Sequence, residues 1–401
     1  MLTEEKYIKN RIWKARFQSL PFYLCRVFPI KKKKIVFCCI EGTTGYTCNP
    51  KYIAEELIRQ NKNTKHKQRF ELVWLVNDIS KQFPDHIKVV HNSLWNRAFH
   101  LSTAHFWIDN SRKQLETRKR RGQIYIQTWH AKLGFKPTCM DRGASFSKIA
   151  YVISKHDSDM IDYVLSNSRW YDDTLPNGMI YNGPILRTGS PRCDILVNDK
   201  NDIRKRVRET FTLPEDAKIL MYAPTFRNGS QGTSRIVSVN QGFPDYKRLK
   251  EGLVKRFGGK WYIFLRLHPQ LAVSKPDTGF ADINVIDISQ VDDMYEILAG
   301  CDAFMTDYSS AAFDAAVMKI PVFLYADDYD EYESERGRLL WDLRELPFSV
   351  AVNNEQLLQQ IANFHNDNYQ MRLEQLWKDT ELVEDGSASK KVVEQLKYVV
   401  E

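Results

Sequence analysis

Short apolar runs that each stop at a polar or glycine-bearing turn, then give way to helical spacing, are what most constrains this chain. Lys34-Ile-Val-Phe-Cys-Cys-Ile40 ends in the loop Glu41-Gly-Thr-Thr-Gly45. A run of that kind closed by a glycine loop reads as a buried strand of a parallel sheet. The pattern then predicts a helix over Pro50 to Gln60 and a strand over Phe70 to Val76. A helix over Leu94 to Thr103 and strands at His105 to Asp109 and Ile124 to Thr128 come next. Ala150 to Ser154 reads as a further strand, and Asp157 to Leu165 as the helix after it. Alternation of this sort implies an α/β domain built on a mostly parallel sheet.

The alternation weakens over the charged stretch Asp199 to Glu215 and then restarts. Strands are expected at Ile219 to Ala223, Trp261 to Leu267, Ala303 to Thr306 and Val322 to Tyr325. Helices are expected over Tyr246 to Phe257, Met294 to Ala299 and Ser310 to Met318. A chain of 401 residues exceeds one ordinary compact domain. The expected division is a basic aromatic segment over 1–33, a Rossmann-like domain over 34–205, a second over 206–350, and polar helices over 351–401 wrapping the outside. Two such α/β lobes with a cleft between them would be GT-B-like.

The formal charge of +8 is concentrated at one end. Residues 1–34 hold Lys6, Lys9, Arg11, Lys14, Arg16, Arg26 and Lys31 to Lys34 against only Glu4 and Glu5. A nucleic-acid protein spreads its basic residues over the binding domain, so nucleic acid is not the expected partner. A basic end interleaved with Trp13, Phe17, Phe22, Tyr23 and Phe28 suits an anionic membrane surface. The alternative is an arm packed on its own lobe, since Pro21 and Pro29 interrupt it. A second basic run, Arg112-Lys113 and Arg118-Lys-Arg-Arg121, reads most simply as an exposed loop, the alternative being a face toward anionic lipid or a polyanionic product. No apolar run approaches the roughly 20 residues that cross a bilayer, and no secretory signal is evident. Seven cysteines without CxxC or zinc spacing fit a reducing compartment. These features suit a soluble or peripheral protein inside the cell; attachment to the cytoplasmic face of the cell membrane is what the resemblance described below implies.

Five clusters sit where strands end, which is where open α/β sheets bind ligands. His130 leaves a strand in Gln127-Thr-Trp-His-Ala131 and is placed for general-base work near neutral pH. The loop after it carries Lys132, Gly134, Lys136 and Asp141. Arg192, in the turn Gly189-Ser-Pro-Arg192, offers a fork suited to phosphate oxygens; a domain-boundary turn with a surface Arg is the plainer reading. Pro224 ends a strand and leaves Thr225 and Arg227 beyond it. Arg266 and His268 fall on one face of the next strand, opposite Leu265 and Leu267. Met305-Thr-Asp-Tyr-Ser-Ser310 runs from strand to helix, with Ser309 or Ser310 as the N-cap and the first amides facing a pyrophosphate. A capped helix without a ligand is the plainer alternative there. Neither a Walker loop nor GxGxxG occurs.

Taken together and in order, these motifs resemble the CDP-glycerol glycerophosphotransferase family, which includes teichoic acid primases and polymerases and related capsule enzymes. The resemblance covers roughly Ile35 to Pro347. It rests on Trp107-Ile-Asp-Asn-Ser-Arg112, Gln127-Thr-Trp-His130, Gly189-Ser-Pro-Arg192, Tyr222-Ala-Pro-Thr-Phe-Arg227, Arg266-Leu-His-Pro269 and Thr306-Asp-Tyr-Ser-Ser310. It implies a GT-B fold and transfer of an alcohol phosphate from a CDP-alcohol donor to a lipid-linked glycan or polymer acceptor. In that reaction His130 would be the base, and His268 would serve the leaving side. Arg192, Thr225, Arg227, Arg266, Asp307, Ser309, Ser310 and Arg336 would hold the donor. Ala131 stands where the family's motif has Gly, and the loop holding Lys132, Lys136 and Asp141 differs too. Glycerol, ribitol and the acceptor are therefore left open. No tightly held metal is expected; Asp307 and Asp314 are the carboxylates that would bear on Mg²⁺. A glycosyltransferase using a nucleotide-sugar and a silent polyanion-binding module are the competing classes.

Overall fold

A computed structural model describes residues 4–62, 69–198, 200–225, 227–228, 237–238, 243–267, 284–329, 331–332 and 338–400. The chain divides into two compact units. Unit 1 comprises Met1–Lys132, Thr138–Asp194 and Val383–Glu401; unit 2 comprises Leu133–Pro137 and Ile195–Leu382.

Unit 1 is built on seven strands: β1 (Lys31–Cys38), β2 (Glu71–Val76), β3 (Ile87–His91), β4 (Ala104–Asp109), β5 (Ile124–Gln127), β6 (Tyr163–Ser166) and β7 (Ile185–Arg187). All pair in parallel, in the order β3-β2-β1-β4-β5-β6-β7. Period-two alternation supplies two cores. Ile35, Phe37, Leu72, Trp74, Phe106 and Ile108 pack on one face. Val36, Cys38, Val73, Leu75 and Trp107 pack on the other. Burial of both faces explains why these strands read as nearly unbroken apolar runs.

Unit 2 repeats the plan with β8 (Lys218–Tyr222), a short pair β9 (Arg227–Asn228) and β10 (Val237–Ser238), then β11 (Trp261–Leu265), β12 (Val285–Asp287), β13 (Ala303–Thr306), β14 (Val322–Tyr325) and β15 (Ser349–Ala351). Its main sheet is parallel in the order β12-β11-β8-β13-β14-β15. Both sheets thus run outward in opposite directions from their first strand, the doubly wound order of Rossmann folds. The crossover points lie between β1 and β4 and between β8 and β13. Ligand sites are expected at the carboxyl ends there.

Three expectations need correction. Ala150 to Ser154 is helical, inside Lys148–Ser158, and the expected helix over Asp157 to Leu165 contains β6 instead. The apolar string Ile-Ala-Tyr-Val-Ile mimics a strand, but Ser147 caps the run by accepting a hydrogen bond from the Ala150 amide, which starts a helix. The terminal helix Ala388–Val400 does not merely wrap the outside: Val392, Val393 and Leu396 are core residues of unit 1. Arg118 to Arg120 are held by carbonyls rather than hanging free. Arg118 donates to Leu115 and Thr117, Lys119 to Met160, and Arg120 to Phe28 and Ser102.

The amino-terminal arm forms helices Glu4–Gln18 and Leu20–Leu24. Pro21 does not break it, because it sits in the first turn, where a missing amide costs nothing. Phe22 and Cys25 join the unit 1 core, while Trp13 and Phe17 stay 63% and 61% exposed. No helix among the described residues is long and apolar enough to cross a membrane.

Candidate functional site

At the carboxyl edge of unit 1, β4 and β5 deliver the segments Asn110–Arg112 and Thr128–His130 side by side. The Thr128 amide donates to the Asp109 carbonyl at 2.8 Å, extending the pairing beyond the sheet. Trp129 then adopts a positive φ of 49°, which turns the chain and presents His130. The imidazole Nδ1 lies 2.7 Å from the carbonyl oxygen of Asn110. A carbonyl can only accept, so Nδ1 carries the proton and Nε2 keeps its lone pair while the ring is neutral. Burial pushes the His130 pKa down to about 4, and the Arg192 and Arg112 charges push the same way against the Asn110 hydrogen bond. The ring is neutral at ordinary pH. That is the form a general base requires.

The loop is fixed from several directions. Arg192 Nη1 donates to the His130 carbonyl oxygen at 2.6 Å, and the Arg192 amide donates to Asn49 Oδ1 at 3.1 Å. Asn49 Nδ2 in turn donates to the Trp129 carbonyl at 2.7 Å. Arg192 is 5% exposed, so its immediate partner is the base loop itself. Lys132 is also buried; its Nζ donates to the Gly189 carbonyl and to Ser190 Oγ, each at 3.0 Å. Glu384 accepts from the Ser190 amide and from Asn167 Nδ2, each at 2.9 Å. Burial pushes Glu384 up to about 7 against the pull of Lys132. Ala131 is half-buried between these holds, and Asp141 is exposed on the turn Cys139–Ser145.

Beneath His130 lies a buried polar network. Asp109 accepts from the Ser111 amide at 2.9 Å and pairs with Lys113. Asp157 accepts from the Lys113 amide at 2.9 Å and from the Tyr125 hydroxyl at 3.1 Å. Gln127 bridges Tyr125 to the loop, since its Oε1 accepts from the Trp129 amide at 2.9 Å. Burial lifts Asp157 to about 7, with the Asp109 charge adding to the rise. Asn110, Asn49, Asp157 and Glu384 were given no role by the motif reading. Asn110 lies inside a quoted motif, so the polar run after β4 was a usable signal. Glu384 stands far along the chain in a polar tail, with no local signal at all.

In unit 2, the ends of β8 and β13 meet at the crossover point. The Asp307 carboxylate accepts from the Thr225 amide at 2.9 Å, from Thr225 Oγ1 at 2.9 Å and from the Tyr308 amide at 2.6 Å. Thr306 Oγ1 donates to the Ala223 carbonyl at 2.6 Å. Thr225 and the Asp307–Ser310 turn are thereby one rigid piece. Ser309 Oγ accepts from the Ala311 amide at 3.3 Å, whereas Ser310, the residue just before the helix Ala311–Ala316, makes no side-chain cap. Both serines are half-buried.

Arg266 follows β11, and its Nη1 donates to the carbonyls of Ile288 at 2.7 Å and Ser289 at 2.9 Å, and to that of Val291. The guanidinium therefore braces the loop after β12. Asp314 accepts from the Tyr295 hydroxyl, so both carboxylates considered for a cation, Asp307 and Asp314, are engaged by protein donors. His268 and Arg336 lie outside the described residues. Only the backbone of Arg227, in β9, lies within them.

Comparison with known proteins bears on the family and the fold. The family described as CDP-glycerol:poly(glycerophosphate) glycerophosphotransferase matches residues 21–398. A teichoic acid glycerol-phosphate transferase of Staphylococcus aureus is 30% identical over 96% of this chain and 98% of its own length. A teichoic acid poly(glycerol phosphate) polymerase of Bacillus spizizenii is 26% identical over 97% and 98%. The chain spans about half, 53%, of the corresponding polymerase of Staphylococcus epidermidis. Among solved structures, the wall teichoic acid polymerase TagF soaked with CDPG aligns at a TM-score of 0.79 and 26% identity, covering 100% of this chain and 98% of that one. This chain belongs to the CDP-glycerol:poly(glycerophosphate) glycerophosphotransferase family.

Proposed function

We propose that the protein transfers an alcohol phosphate, glycerol phosphate by default, from a CDP-alcohol to a hydroxyl of a lipid-linked glycan or growing teichoic acid or capsule polymer. Near-full-length similarity to the Staphylococcus aureus glycerol-phosphate transferase favours glycerol. A ribitol-phosphate polymerase of the same organism is 24% identical over 83% of this chain, so ribitol is the second reading.

The acceptor oxygen attacks the phosphorus that carries the alcohol. The bond from that phosphorus to the bridging oxygen breaks, and CMP leaves with the electron pair. The acceptor proton passes to His130 Nε2. Such transfer depends on positioning and on charge stabilisation more than on covalent help. The observation that carries the proposal is the Nδ1 contact of His130 with the Asn110 carbonyl, which keeps Nε2 available. A nearby diphosphate would raise the depressed pKa of the ring and so strengthen the base as the donor arrives.

Thr225, Arg227, Ser309, Ser310 and Arg336 hold the donor in this reading, with Arg266 and Asp307 keeping the supporting loops in place and His268 serving the leaving CMP. Lys136 and Asp141 face the alcohol or acceptor, beside Ala131 and Lys132. The two Rossmann-like units work as a GT-B-like pair, and the exposed aromatic and basic arm attaches the enzyme peripherally to the cytoplasmic face of the cell membrane.

The test is product mass after incubation with CDP-glycerol, CDP-ribitol or a UDP-sugar and a lipid-linked acceptor. Alcohol-phosphate addition that is lost in His130→Ala and His268→Ala supports the reading. Sugar addition, or near-normal turnover in both variants, sinks it.

A further inference from the structure

The loop after β1, wholly within unit 1, carries a strained backbone. Ile40, Glu41 and Gly42 have consecutive positive φ values of 43°, 56° and 81°. Glycine takes that conformation at no steric cost, but a β-branched isoleucine and a glutamate do not. Such residues persist only where the surrounding structure fixes them, and they cluster at functional sites. Here the Ile40 amide donates to Asn110 Oδ1 at 2.8 Å, and the Glu41 amide donates to Ser111 Oγ at 2.9 Å. The Glu41 carbonyl accepts from Asn92 Nδ2 at 3.0 Å, and the Gly42 carbonyl accepts from the Asn77 amide at 2.8 Å. A Cβ added at Gly42 would lie 2.7 Å from Asn92 Nδ2, so the loop is pressed against its holders.

Asn110 ties this loop to the base. Its side chain holds the Ile40 amide, while its carbonyl oxygen accepts from His130 Nδ1 at 2.7 Å. Both contacts lie at the crossover point between β1 and β4, where a doubly wound sheet takes its ligand. The strained backbone therefore presents the Glu41 side chain at the same edge as the imidazole. Glu41 is exposed, and its Oε2 accepts from Gln114 Nε2 at 2.8 Å. That partner is a neutral amide rather than a cation. Oε1 accepts from no protein donor among the described residues.

A carboxylate held this way can only accept hydrogen bonds. It repels phosphate and attracts hydroxyl groups. In the proposed transfer the acceptor brings hydroxyls on adjacent carbons, whether its end is a glycerol, a ribitol or a sugar. The donor's alcohol has hydroxyls too, but beside a diphosphate that this carboxylate disfavours. We propose that Glu41 is a specificity-determining residue of the acceptor subsite: steadied by Gln114, it accepts from the hydroxyl next to the attacking one and so brings the acceptor's end to His130. The inference rests on the reading of His130 as the base of that transfer.

The experiment measures steady-state transfer from CDP-glycerol by the full chain to two lipid-linked acceptors. One ends in glycerol phosphate; the other ends in propane-1,3-diol phosphate, which keeps the primary hydroxyl and lacks its neighbour. Glu41→Ala is expected to raise the KM of the glycerol-ended acceptor by about 10- to 10²-fold, the worth of a hydrogen bond to a charged group. The donor KM and the melting temperature stay at their wild-type values, and Glu41→Gln, a neutral acceptor, recovers part of the loss. With the diol-ended acceptor the wild type already shows a raised KM, and Glu41→Ala adds little to it. An unchanged acceptor KM in Glu41→Ala overturns the proposal. So does an equal rise in the donor KM, or a full penalty from the variant on top of that from the missing hydroxyl, which would make the two independent. Near-normal turnover in His130→Ala is a separate outcome: it removes the reading of the base, and this inference with it.

Discussion

Arg192 donates from Nη1 to the carbonyl oxygen of His130 at 2.6 Å, so a residue from the turn after β7 holds the backbone of the loop after β5. The same turn receives Lys132 at Gly189 and Ser190. Position and titration of the imidazole thus depend on a turn far away in sequence. Replacing Arg192 with Lys keeps a charge but loses the planar fork that reaches the carbonyl. Arg192→Lys is expected to lower stability by about 1.5–3 kcal/mol, the worth of a charged hydrogen bond. Transfer should fall further than stability explains. Urea unfolding and steady-state rates check both; a variant with normal turnover would separate this turn from catalysis.

Acid sensitivity of the reaction follows from the charges around His130. Burial is the main cause of its depressed pKa of about 4, with Arg192 and Arg112 adding to it and the Asn110 hydrogen bond and Asp109 opposing it. The active base is the neutral ring. Its fraction stays high until pH approaches the folded pKa, so the acid limb of kcat/KM should lie well below the usual histidine value of about 6.5. Arg112, whose guanidinium is 4.8 Å from the Trp129 ring centroid, is a cation that disfavours protonation. Arg112→Gln removes it, raises the pKa of the ring and moves the acid limb to higher pH. A limb that moves lower, or stays fixed, would show that another group controls it.

Beneath the loop, Lys113 lies between two buried carboxylates. Its ammonium pairs with Asp109, and its amide donates to Asp157. Lys113→Met removes this cation and leaves the Asp109 carboxylate without the ammonium it pairs with. Breaking a buried pair from one side costs about 3–5 kcal/mol. Chemical denaturation should show a loss of that order, with the double variant Lys113→Met/Asp109→Leu recovering part of it. A loss below about 1 kcal/mol, the worth of an exposed pair, would mean that water reaches the site.

The strand ends were legible because both faces of each sheet are buried. β13 and β14 fall where Ala303 to Thr306 and Val322 to Tyr325 were expected, and the helix over Tyr246 to Phe257 also matches. Burial on both faces leaves no alternation to misread, only length and a closing turn. The same rule fails at Ala150 to Ser154, where an apolar string of strand length is one side of a capped helix. His130 was legible as a polar residue leaving a strand. Its supports were not: Arg192, Lys132 and Glu384 converge from three stretches of chain, and no local spacing records a tertiary contact. Leu133–Pro137 is the extreme case, since it reads as loop in the sequence but is buried core of the other unit at Phe135.

The amino-terminal arm divides into a packed side and an exposed side, and the two should respond differently to substitution. Phe22 belongs to the unit 1 core beside Ala98 and Leu101. Trp13 and Phe17 pack edge to face at 4.3 Å on the exposed side, among Lys9, Lys14 and Arg16. Phe22→Ala should destabilise the fold by about 3–5 kcal/mol through the cavity it leaves. Trp13→Ala/Phe17→Ala should leave the melting temperature nearly unchanged. It should, however, reduce flotation with vesicles of anionic lipid, because aromatic side chains and nearby cations act together at a charged interface. Added salt should weaken wild-type flotation by screening the basic residues over a Debye length of about 8 Å at physiological ionic strength. Flotation that survives loss of both aromatic rings, or that is absent from the wild type, would assign the exposed side of the arm some purpose other than the membrane.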